Sequence, residues 1–97
     1  MFKLHNSALL QTRAFINGEW CEADTRKTFA VQNPATGEVV AQVADVGIDE
    51  TRRAIMAAAE VQSDWSQKTA KERSQLLRAW FDLVMQHQEE LAQILTI

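Results

Sequence analysis

The sequence predicts an α/β segment in which two short β-hairpins precede two helices. Three observations carry this expectation. Asn17-Gly18 and Asn33-Pro-Ala-Thr-Gly37 each lie between short apolar or β-branched stretches. Extended patterning gives way to helical spacing at Gly47. Thr69-Ala-Lys-Glu72 then has the spacing of a capping box, followed by a long apolar stripe.

Residues 1–12 show no clear periodicity and are expected to form a loosely held N-terminal arm. The first hairpin follows from Asn17-Gly18, because both residue types accept positive φ and so favour a type I′ turn. Its strands are placed near 14–16 and 19–21. In the second hairpin, Thr28–Gln32 and Glu38–Ala44 are the extended arms. Pro34 presets φ in the turn between them, and Gly37 permits its exit.

The first helix is expected from about residue 48 to residue 64. Gly47 or Asp45 can cap it, and Asp49 and Glu50 bring negative charge to its first turn, where the helix dipole favours it. Thr51, Ala54, Ile55, Ala58, Val61, Gln62 and Trp65 share one face, and the alanines suit close packing. The second helix is expected from about 70 to at least 95. In its capping box the Thr69 oxygen takes the amide of residue 72, and the glutamate reaches back. Ten positions from Leu76 to Leu95 form its stripe. Neither a Gly or Asn cap nor a cationic last turn precedes Ile97. Residues 1–97 are therefore expected to be the opening segment of a longer protein, incomplete after Ile97.

Composition narrows the function classes. The 97 residues are 46% hydrophobic and carry a net charge of −3. A chain of this length buries only roughly 60–65% of its unfolded surface, so its stability alone would be marginal. No basic stripe suggests a nucleic-acid partner. No apolar run approaches the ~20 residues of a membrane span. The single cysteine, Cys21, suits a reducing compartment, and the cytoplasm is the expected location.

The residues offer little chemistry. Gly18, Gly37 and Gly47 lie ten or more positions apart, so neither a dinucleotide fingerprint nor a P-loop can be built. His5 and His87 are far apart, and no metal-ligand spacing is present. Cys21 could be a nucleophile, but nothing nearby in sequence clearly activates it, and a small packed residue beside Trp20 is the simpler reading. Asp49, Glu50 and Glu72 are explained by helix starts, and Glu89 and Glu90 by a solvated face. Trp20, Trp65 and Trp80 read as core or interface anchors. No catalytic, cofactor-binding or metal-binding residue is assigned. The apolar stripe fits the core side of a larger domain. It also fits the alternative of a stand-alone helical interaction or dimerisation module.

The order of motifs is nonetheless distinctive. Phe15-Ile-Asn-Gly-Glu-Trp20, Asn33-Pro-Ala-Thr-Gly-Glu38, an alanine-rich helix reaching Trp65, and Thr69-Ala-Lys-Glu-Arg73 together resemble the N-terminus of the aldehyde dehydrogenase superfamily. Arg78–Leu91 is most similar to the bacterial NAD(P)-dependent succinate-semialdehyde dehydrogenase branch. The resemblance covers residues 13–97 and implies the N-terminal part of a Rossmann-type cofactor-binding domain. It implies oxidation of an aldehyde, succinate semialdehyde in that branch, with NAD or NADP, in a homo-oligomer (dimer or tetramer) when intact. In the family a thiolate attacks the carbonyl, hydride passes to the nicotinamide, and water releases the acid. The cysteine, glutamate, asparagine and cofactor lysine that serve those steps lie further along the chain, and none maps onto this sequence. The segment by itself is expected to be inactive. Some members also hold a monovalent cation through backbone carbonyls before the second turn, which correspond here to Val31 and Gln32.

Overall fold

A computed structural model describes residues 7–96; Met1–Asn6, including His5, and Ile97 lie outside the described residues. A single 3₁₀ turn, Ser7–Leu9, comes first. Strands β1 (Ala14–Ile16) and β2 (Glu19–Cys21) form one antiparallel pair. Strands β3 (Thr28–Gln32) and β4 (Val39–Ala44) form a second. Helices α1 (Ile48–Gln67), α2 (Ala70–Gln86) and α3 (Gln88–Thr96) complete the chain. The chain divides into two units, residues 12–62 and a second comprising residues 1–11 with 63–97.

The first hairpin forms as its turn residues dictate. Asn17 (φ 52°) and Gly18 (φ 78°) both adopt the left-handed conformation of a type I′ turn. Ile16 and Glu19 close the loop, and Phe15 pairs with Trp20 in the next register position. Their rings meet edge to face at 4.9 Å between centroids, a geometry that aromatic quadrupoles favour.

The second hairpin turns on Asn33. Its side-chain Oδ1 accepts from the Ala35 amide (2.8 Å), and its carbonyl accepts from the Gly37 amide (2.7 Å). Gly37 exits with φ 77°, a value a side chain would strain. Beyond the turn the register shifts between Val31 and Gln32, which face Ala41 and Val39, so Val40 is the extra residue of a bulge. Residue 12, expected to end a loose arm, is tied down: its carbonyl accepts from the Ala44 amide at 2.8 Å.

The first helix is three residues longer than its periodicity implied, ending at Gln67. Of the expected face, Ala54, Ala58 and Val61 line the surface beside the first hairpin, and Ala57 joins them. Glu50, Ala54 and Ala57 are the helix's shielded residues within 12–62, whereas Ile55 is 63% exposed. The small side chains of Ala54, Ala57 and Ala58 allow the first hairpin to lie beside the helix.

The single long second helix is a correction. The structure breaks it at His87 (φ −107°, ψ 18°) into α2 and α3. The His87 amide is shared between the carbonyls of Leu83 and Val84, both at 3.2 Å, and its own carbonyl accepts the first bond of α3 from the Leu91 amide. Neither Pro nor Gly marks the position, so the apolar periodicity runs through the break unchanged. The start of α2 is as expected in one half: Thr69 Oγ1 accepts from the Glu72 amide at 3.1 Å. In the other half the glutamate's reach ends on the Thr69 hydroxyl, which donates to Glu72 Oε1 at 3.2 Å.

Replacing Thr69 with Ala removes this cap and is predicted to cost about 1 kcal/mol of helix stability. Circular dichroism should show reduced helicity for Thr69→Ala and near-complete retention for Thr69→Ser. Equal helicity in both variants would show that the cap is not what starts α2.

Candidate functional site

Glu50 organises the best-connected polar cluster of residues 12–62. It is the third residue after Gly47, and Gly47 stands at the N-cap position: its carbonyl accepts from both the amide and the hydroxyl of Thr51. Glu50 Oε2 accepts from the Gly47 amide at 3.3 Å, which is the reach-back half of a capping box. The same oxygen accepts from the Asp24 amide at 3.2 Å, 26 residues away. Only 5% of Glu50 remains exposed, so its charge is solvated by backbone amides in place of water.

One helical turn further on, Arg53 grips Asp24. Its two terminal nitrogens donate to the two carboxylate oxygens at 2.9 and 2.8 Å, the fork geometry that gives guanidinium–carboxylate pairs their directionality. Both side chains are about half exposed, so solvent screens the pair and its contribution is modest. Together Glu50 and Arg53 fasten the β2–β3 connection to the start of α1. The connection is a turn in which the Arg26 amide donates to the Ala23 carbonyl, and Ala23 is buried beneath it.

Both carboxyls are held below their ordinary values. For Asp24 the main cause is the hydrogen bond from Arg53. For Glu50 it is its own backbone amide, then that of Gly47, with burial acting in the opposite sense. The Arg53 guanidinium is pushed up in turn, first by its bond to Asp24.

Beside this clasp, the first hairpin and α1 bound an open groove of about 380 Å³. Cys21 lines it with Ile16, Arg53, Met56, Ala57 and Glu60. The thiol is free and half-buried. No histidine lines the groove, and the guanidinium nearby is already committed to Asp24. Cys21 ends β2 opposite Ala14 of β1, and a small side chain suits that place beside the groove.

The other residues considered in the sequence are dispersed. His87 is half-buried at the α2–α3 junction, where its backbone serves both helices. Gly18 and Gly37 sit in separate hairpin turns and Gly47 at a helix start, so these glycines form no shared phosphate-cradling loop. Val31 and Gln32 lie exposed at the bulged end of β3. Among the described residues no group of three or more His, Cys, Asp or Glu side chains could hold a metal ion. Among the same residues no helix is long and apolar enough to cross a membrane.

The dual role of Glu50 was only half visible in sequence. Its spacing from Gly47 marks a capping position, but its bond to Asp24 and the Asp24–Arg53 pair join residues 26 and 29 positions apart with no local signal.

The family of this chain is clear: residues 20–97 match the aldehyde dehydrogenase family, and the chain belongs to it. Among its relatives is the 3-sulfolactaldehyde dehydrogenase of Pseudomonas putida, 46% identical over 99% of this chain and 20% of that protein. The mitochondrial succinate-semialdehyde dehydrogenase of Arabidopsis thaliana is 47% identical over 98% of this chain and 18% of its own length. The crystal structure of succinate-semialdehyde dehydrogenase from Burkholderia pseudomallei superposes with a TM-score of 0.93 at 47% identity, covering 98% of this chain and 20% of that one. The chain thus spans about a fifth of the length of the relatives it matches.

The clasp gives a pH dependence whose sign follows from the lowered acidities. The unfolded chain takes up protons nearer the ordinary values, 4.5 for Glu50 and 3.8 for Asp24. The stabilisation is therefore complete above those values and is lost as pH falls through the lower folded-state ones. The Gly47 amide resonance is predicted to titrate with a midpoint below 4.5 and to lose that titration in Glu50→Gln. A Gly47 resonance that behaves identically in both proteins would contradict the clasp.

Proposed function

We propose that the chain is the N-terminal structural segment of an NAD(P)-dependent aldehyde dehydrogenase that oxidises a short aldehyde carrying an anionic group at its far end. The supporting observation is the family match over residues 20–97, with identity of 46–47% to the relatives described across nearly all of the chain. Succinate semialdehyde ends in a carboxylate and 3-sulfolactaldehyde in a sulfonate, so the names of these relatives share an anionic terminus. Succinate semialdehyde, giving succinate, is the first substrate to test. The segment forms the N-terminal part of the cofactor-binding domain, at its periphery, with residues 1–12 as an arm. The nicotinamide cofactor, when bound, accepts hydride. The clasp, the turns and the helix cap fix the hairpins and helices that flank such a site. The intact enzyme is read as a cytoplasmic homo-oligomer, a dimer or a tetramer.

A protein carrying this segment at its N-terminus is predicted to form NADH or NADPH from succinate semialdehyde. Residues 1–97 alone are predicted to form none. The assay is the rate of reduced nicotinamide production with each cofactor, with a neutral aldehyde of similar length as comparison. Equal kcat/KM for the neutral and the anionic aldehyde would remove the anionic-substrate reading and leave the enzyme class standing. No aldehyde oxidation by the longer protein would remove both.

A second reading, a stand-alone helical interaction or dimerisation module, draws on the exposed apolar side chains of α2, with Trp80 66% and Leu83 57% exposed. Sedimentation of residues 1–97 separates the two. A dimer that persists on dilution is the module's prediction. A monomer, or an open-ended mixture that changes with concentration, is the enzyme segment's.

A further inference from the structure

We draw no further inference here: the strongest candidate, the exposed apolar face of α2 formed by Leu76, Leu77, Trp80, Phe81 and Val84, carries nothing further because nothing in the structure shows what covers it.

Discussion

The Glu50 carboxylate is a charge taken out of water and held by the backbone amides of Gly47 and Asp24. A buried charge is tolerated only when its lost hydration is replaced, and amides aimed at a carboxylate do this well. The geometry of residues 12–62 follows from meeting that demand. The β2–β3 turn must present the Asp24 amide, and the β4–α1 connection must present that of Gly47. Glu50 must occupy the third helical position, where it can face both. Arg53, one turn along, then meets the Asp24 side chain. The alanines that follow on α1 leave room for the hairpin that this arrangement brings near.

Such a hydrogen-bonded framework stands in place of an apolar core. Among the described residues only Ala23 is a buried hydrophobic residue, while Ile48, Ile55, Met56, Trp80 and Leu95 all remain more than 60% exposed. Burial of apolar surface is the dominant favourable term in folding, and capping and turn bonds each add only about 1 kcal/mol. The local structure is well specified by turn chemistry and caps, but the driving force that holds a domain together is scarcely used. The relatives described above are about five times as long as this chain.

Much of this was legible in the residues. Asn17-Gly18 fixed the first hairpin to the residue, because two adjacent positive-φ positions leave few alternatives. Asn33, Pro34 and Gly37 did the same for the second turn, and Thr69 for the start of α2. What escaped detection depends on distance or on continuous geometry. The break at His87 interrupts the helix without a breaker residue, since a shift of ψ at one position leaves the apolar spacing on either side intact. The bulge opposite Val31 and Gln32 reflects a register slip between strands that neither strand's own pattern reveals. The burial of Glu50 depends on a partner 26 residues away.

The central claim is that hydrogen-bonded local structure, and not a closed apolar core, shapes this segment. Thermal unfolding of residues 1–97 followed by calorimetry tests it most directly. The account predicts a broad, shallow loss of helicity without a resolved heat-absorption peak, accompanied by binding of an apolar dye before heating. A sharp, reversible transition with the roughly 60–80 kcal/mol enthalpy of a compact domain of about 100 residues, and no dye binding, would contradict it.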